Sequence, residues 1–304
     1  MTVAPPTDST PPTDSAPASL ASGLPAGLAM GAVRLRVRDA ARASTFYTGT
    51  LGLTAMAGDS DGIVRLGAGG RVLIELEERR DARPRPPGTT GLFHVAILVP
   101  DRAALAVALR RLVARRIAIG ASDHIVSEAL YLDDPDGNGI EIYRDRPAGD
   151  WRWENGTVAM ATDHLDGRGL LNEAPAAIPL DAKLPAGTRI GHVHLQVGDL
   201  ARARRFYVEH VGFEVTTDRY PGALFVSAGG YHHHLGLNIW QSRGGGPAPQ
   251  DSVGLVHYAV ELPDAAAVEA LRVRLEAAGE STAPIPGGFS AADPWGTRVW
   301  VTAG

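Results

Sequence analysis

The sequence predicts an α+β fold of four successive modules, each a strand, a helix and three further strands. Three observations carry this expectation. The segment AVRLRVRDAARASTFYTGTLGL (32–53) lies over HVHLQVGDLARARRFYVEHVGF (192–213) without a gap and with 10 of 22 positions identical, so the chain contains two related halves. Each half repeats again more weakly, HVAILVPD (94–101) over HYAVELPD (257–264) and DPDG (134–137) over DPWG (293–296). All four units open on an alternating strand that runs into an aspartate and then into helical periodicity.

In chain order, residues 1–30 are rich in Pro, Ser, Thr and Ala and poor in large apolar groups, so they are expected to form a disordered tail. This tail holds no Lys or Arg and no continuous apolar run, which argues against a secretory signal; no segment is long enough to span a bilayer. The expectation is a cytoplasmic protein without a membrane partner. The first pair of modules covers 31–145 (about 31–80 and 91–145), and the second covers 189–304 (about 189–242 and 252–304). Between them 146–188 reads as an irregular connector rich in Gly, Pro and Asp. Asp39, Asp101, Asp199 and Asp264 are placed to cap the four helices. Leu105, Leu109 and Leu112 form the apolar stripe of the second helix, and Val268, Leu271 and Leu275 that of the fourth. Short β-branched and aliphatic runs follow between glycine-rich turns, such as RVLIEL (71–76) and GIEIY (139–143).

Composition narrows the chemistry. The chain of 304 residues is 44% hydrophobic and 21% charged, with a net charge of -5, so it lacks the basic excess of a phosphate-tracking protein and no nucleic-acid partner is expected. Cysteine is absent, which leaves His, Asp and Glu to hold any metal.

The module order, the phrases RxFY…LGF after the first strand and DPDGNGIE before the last, resembles the vicinal oxygen chelate superfamily from 31 to 304. That resemblance implies modules pairing about a pseudo-twofold axis into two cupped mixed sheets, with ligands projecting into the cup from first and last strands. Alternation then identifies the residues that face the cup. In HVHLQV, Val193, Leu195 and Val197 share one face, and His192, His194 and Gln196 the other; the same count turns His94, Glu141 and Tyr143 toward the cup. Singly, each His or Glu is as well explained as a hydrogen-bonded core residue or a rim ion pair. Together they are more informative, because equivalent first-strand positions read Ala32, His94, His192 and His257, and last-strand positions Glu75, Glu141, Asn238 and Trp300. Pairing modules three and four gives two histidines without a carboxylate, and pairing one and two gives only one imidazole. Pairing two and three gives His94, His192 and Glu141, the two-His-one-carboxylate set of mononuclear iron(II), with manganese(II) as the alternative. A homo-oligomer sharing the site between chains is the other arrangement open to the sequence.

DHIVSEALYLDDPDGNGIEIY (123–143) is similar to the last module of type I extradiol ring-cleaving dioxygenases, and GGYHHHLGLNIW (229–240) to their penultimate module, with the catechol 2,3-dioxygenase branch the best likeness. This resemblance implies metal-dependent cleavage of a catecholic diol by O2. It gives Tyr131 the role of hydrogen-bond donor to substrate or oxygen, His124 that of a polar contact behind it, and His233 that of acid and base. Strand counting back from Asn238 instead turns His232 and His234 toward the cup and His233 away, unless a bulge or strand start intervenes. Two further readings stand beside the dioxygenase. One is a glyoxalase-like isomerase or lyase, for which Asn238 occupies the place of a needed second carboxylate. The other is a metal-free binder holding an aromatic ligand between Trp240 and Tyr143.

Overall fold

The structure, a computed structural model, describes residues 23–57 and 61–304. Most of the expected tail, residues 1–22, lies outside the described residues. Its last part is built into the fold: the first strand starts at Ala29, and Leu28 and Met30 are buried.

Each module forms where local sequence and burial agree. All four predicted aspartates cap their helices, with Asp39, Asp101, Asp199 and Asp264 accepting the backbone N–H of Arg42, Ala104, Arg202 and Ala267. Such caps satisfy one of the donors a helix start leaves unpaired, worth about 1 kcal/mol each. The helices Arg102–Ala114 and Ala265–Ala277 bury the Leu105, Leu109, Leu112 and Val268, Leu271, Leu275 stripes. In modules one and three the short helices Ala40–Phe46 and Leu200–Arg204 widen into π-helical turns, Tyr47–Leu51 and Arg205–Val211, which end on left-handed Gly52 and Gly212.

The strands make two sheets of eight. In each module the first strand lies parallel to the last, and the first strands of two modules pair antiparallel at the sheet centre. Ala29–Val37 of module one pairs with Gly254–Leu262 of module four, and Gly91–Leu98 of module two with Arg189–Gln196 of module three. The sheets therefore join modules one with four and two with three, whereas the groups 31–145 and 189–304 follow the sequence repeat. Within each group the modules are tied by the repeated motifs themselves. Tyr47 of the first FY pair donates to Asp134 of DPDG (3.2 Å), and Tyr207 of the second donates to Asp293 of DPWG (3.0 Å). The connector holds a two-residue hairpin, Trp153–Glu154 with Thr157–Val158, and a helix, Gly167–Asn172. Among the described residues no helix is long and apolar enough to cross a membrane.

Candidate metal centre

The central strands of the second sheet bring His94 and His192 to one face. Val95, Ile97, Val193 and Leu195 turn the other way into the core, fully buried. Gly139–Asp145, hydrogen-bonded beside Gly91–Leu98, adds Glu141 to the same spot. His94 Nε2 stands 2.9 Å and His192 Nε2 3.0 Å from Glu141 Oε2, and the two imidazole nitrogens are 3.4 Å apart. Among the described residues this is the one group of three or more such side chains whose ligand atoms all lie within 4.8 Å.

The triangle fits a divalent cation. Three ligands at about 2.1 Å from a common centre and mutually at right angles stand about 3.0 Å apart, the spacing of one face of an octahedron. Burial works against the charge on Glu141, but the His192 and His94 rings more than offset this and hold its carboxyl well below the usual range. Burial likewise lowers the pKa of His192, which favours the neutral, ligating imidazole. Glu141, 2% exposed, thus sits as a carboxylate between two imidazoles.

The triad opens onto a cavity of about 330 Å³. Phe93, Tyr220, Phe225 and Trp240 give it aromatic walls, and Met160, Ala161 and Thr162 of the connector close one side. His233 lines it, its ring centroid 4.2 Å from that of His192. The strand Leu235–Asn238 begins after the histidine run, so alternation does not extend to His233 and its ring is free to face the cavity. His232 is fully buried behind it, and His234 Nδ1 bonds Ser227 Oγ (2.8 Å). Across the cavity His124 Nδ1 donates to the Ala161 carbonyl, so its Nε2 accepts the Tyr131 hydroxyl, both at 2.6 Å. Burial and the nearby Glu141 charge push the Tyr131 pKa well up, so the phenol stays protonated.

A family model described as Glyoxalase/Bleomycin resistance protein/Dioxygenase superfamily matches residues 29–142 and 189–301. The chain belongs to this superfamily. It is 45% identical over 270 residues to the catechol-2,3-dioxygenase of Bacillus subtilis (strain 168), covering 87% of this chain and 93% of that protein. Solved structures share the fold at lower identity. A candidate dioxygenase from Bacillus subtilis subsp. subtilis str. 168 superposes with a TM-score of 0.63 at 14% identity, covering 93% of this chain and 86% of that one. Glyoxalase I from Zea mays does so with a TM-score of 0.55 at 18% identity, covering 91% and 92%.

In this superfamily member the equivalent place in the first sheet is filled by an ion pair. Glu75 accepts Arg34 Nη2 at 2.8 Å and pairs with Arg65 Nε at 3.3 Å, while His257 lies 4.0 Å from the same carboxylate and stacks on Trp300 at 3.8 Å. Tyr143 does not line the cavity; its hydroxyl bonds that of Tyr231 at 2.7 Å, passing so close to Gly191 that a Cβ there would overlap it. An aromatic ligand is therefore not held between Trp240 and Tyr143. Sequence reasoning did not single out Phe93, Tyr220, Phe225 or the connector residues, whose approach depends on how loops fold over the sheet. His194 was legible: it shares the face of His192 and lines the cavity, with its Nε2 buried and unpartnered.

Proposed function

We propose that this protein is an extradiol-type ring-cleaving dioxygenase that binds iron(II) at His94, Glu141 and His192 and acts on a catecholic diol. The observation that carries the reading is the triangle of ligand atoms, open on one side to an aromatic-walled cavity. The 45% identity to a catechol-2,3-dioxygenase over most of both chains supports it. When bound, the metal supplies open positions for both diol oxygens and for O2, so that electron density can pass between them.

The remaining chemistry falls to the chain. His233 lines the cavity wall beside His192 and takes the diol proton. Phe93, Phe225 and Trp240 hold the ring, and Met160 and Thr162 of the connector line the wall beside it. Tyr131 and His124 form a hydrogen-bonding pair on the opposite wall, where a substrate oxygen can exchange with their mutual bond. A volume of about 330 Å³ lies at the small end for ligand sites, roughly 300–1,000 Å³, and suits one aromatic ring with a modest substituent.

All three ligands come from one chain, so a homo-oligomer is not needed to complete the site. An isomerase of the glyoxalase kind would need a further carboxylate, and the position in module three that matches Glu141 is Gly236, opposite His194, with the expected Asn238 two residues further on and its Oδ1 accepting the Trp240 backbone N–H (3.2 Å). A purely apolar binder leaves the buried Glu141 charge without a purpose. Manganese(II) accepts the same ligands, and the soluble substrate fits a cytoplasmic enzyme of aromatic catabolism. The test is O2 uptake with a panel of catechols after anaerobic iron(II) loading, with a coloured ring-opened product expected. No uptake with any diol would overturn the reading.

A further inference from the structure

The three consecutive histidines have unlike surroundings, and the first two, His232 and His233, are tied to a carboxylate outside the metal triangle. Asp145 ends the strand that carries Glu141, and its Oδ1 lies 2.8 Å from His232 Nε2. His232 Nδ1 lies 2.8 Å from His233 Nδ1. The other carboxylate oxygen accepts the Tyr231 hydroxyl at 3.0 Å, and Tyr231 in turn bonds Tyr143. His232 is clamped between Tyr231 and Trp151, with ring centroids at 4.2 and 5.0 Å, and is 0% exposed. Nothing in the proton acceptance assigned to His233 requires these groups.

We infer that Asp145, acting through His232, is a positioning residue that fixes the tautomer and orientation of His233. The inference rests on the proposed dioxygenase reading only for its consequence, since the hydrogen-bond logic stands by itself. A carboxylate only accepts, so His232 must present Nε2–H to Asp145. With a single hydrogen on the ring, Nδ1 is then a bare lone pair. Two lone pairs cannot face each other at hydrogen-bond distance, so His233 must carry its hydrogen on Nδ1 and donate it to His232. That leaves His233 Nε2 unprotonated and turned to the cavity, as a group that takes a substrate proton requires. Without Asp145 the His232 ring can hold its hydrogen on either nitrogen. The His233 tautomer then becomes a mixture, and a His233 ring with Nε2–H cannot accept.

Two readouts test this. Long-range 1H–15N correlation spectra of the metal-free full chain report the tautomer of each imidazole without any turnover. The wild type should show His233 as the Nδ1–H form, and Asp145→Ala should convert it to a mixture, whereas Asp145→Asn, which keeps an acceptor oxygen, should retain it. His232→Phe preserves the packing between Tyr231 and Trp151 while removing both nitrogens, and should repeat the effect of Asp145→Ala if that variant folds poorly. With iron(II) and a turned-over catechol, Asp145→Ala should lower kcat about 10- to 100-fold with KM within about twofold, less than the 10²–10⁴-fold that loss of a general base costs. Asp145→Asn should recover most of kcat. An unchanged His233 tautomer in Asp145→Ala and His232→Phe, or a wild-type His233 in the Nε2–H form, would overturn the inference. If no catechol is consumed by the wild type, the enzyme reading fails while the spectra still decide the positioning role.

Discussion

Replacing Glu141 by Gln separates what this carboxylate does for a metal from what it does for the fold. In the metal-free chain the change removes a buried anion, which relieves a desolvation cost of several kcal/mol. It also weakens the contacts at 2.9 and 3.0 Å to His94 and His192, each worth about 1.5–3 kcal/mol as a bond to a charged group. The terms oppose each other and are of similar size, so the metal-free stability should change by no more than about 2 kcal/mol. At about 2–4 °C per kcal/mol this is a Tm within roughly 8 °C of the wild type, in either direction. Metal should separate the two proteins. At a free manganese(II) concentration about 100 times Kd the wild type gains about 2.7 kcal/mol, a rise of about 5–10 °C. If the neutral amide binds about 100-fold more weakly, the same concentration gives about 0.4 kcal/mol, or about 1 °C. Anaerobic scanning calorimetry with and without manganese(II) reads both effects. The reasoning is refuted if Glu141→Gln keeps the full metal-induced rise, or if its metal-free form loses more than about 4 kcal/mol, which would make Glu141 a structural partner.

Glu75→Ala should cost about 1–3 kcal/mol by removing the carboxylate that holds Arg34, while Arg65 keeps Asp61, and leave metal affinity unchanged, as urea unfolding and metal titration would show. Tyr47→Phe and Tyr207→Phe should each cost about 1 kcal/mol in unfolding experiments, because each removes one bond to a buried aspartate that keeps other donors. His257 has its pKa pushed down to about 3 by burial and by Arg34 and Arg298. The unfolded chain therefore binds a proton below about pH 6.5 that the folded chain refuses, so this contribution is complete above that pH and falls as the pH drops. Between pH 7.5 and 5.0 the loss is about 2 kcal/mol, and His257→Phe, which keeps the stack on Trp300, should flatten the pH slope by that amount.

What the sequence made legible was whatever repeated or alternated. The two levels of repeat gave four modules, the four aspartates gave the helix starts, and period-two counting gave the faces of His94, His192 and Glu141. The pairing of modules two and three was reached by chemistry, because only that combination assembles two imidazoles and a carboxylate. His233 marks where counting stops: the strand begins at Leu235, and the run before it follows local hydrogen bonds such as His232 to Asp145. The connector was read as irregular, yet Met160, Ala161 and Thr162 reach the cavity. Their positions depend on packing of the connector over a sheet edge, for which its sequence carries no periodic signal. The π-helical turns after Phe46 and Arg204 were equally hidden, since they cover the same apolar residues as an α-helix.

The repeat produces two similar sheets whose cups differ in what faces the carboxylate. A cup-facing carboxylate is tolerable only beside positive charge. In the second sheet Glu141 has two imidazoles and, among the described residues, no guanidinium partner, and burial lowers the pKa of His192, so no fixed cation of the chain occupies that place. In the first sheet the cation is covalently part of the chain: Arg34 and Arg65 bracket Glu75, and Trp300 covers His257 where a ligand would stand. A divalent ion brought to about 4 Å from one guanidinium meets a repulsion of about 8 kcal/mol at an effective dielectric of 20, roughly a millionfold in affinity. The first sheet should therefore stay metal-free even at millimolar metal. Elemental analysis of the loaded protein should give one metal per chain, and His192→Ala, which breaks only the second sheet's triangle, should reduce it to near zero. A second equivalent in the wild type, or one retained in His192→Ala, would show that the arginine pair does not close the first sheet to cations.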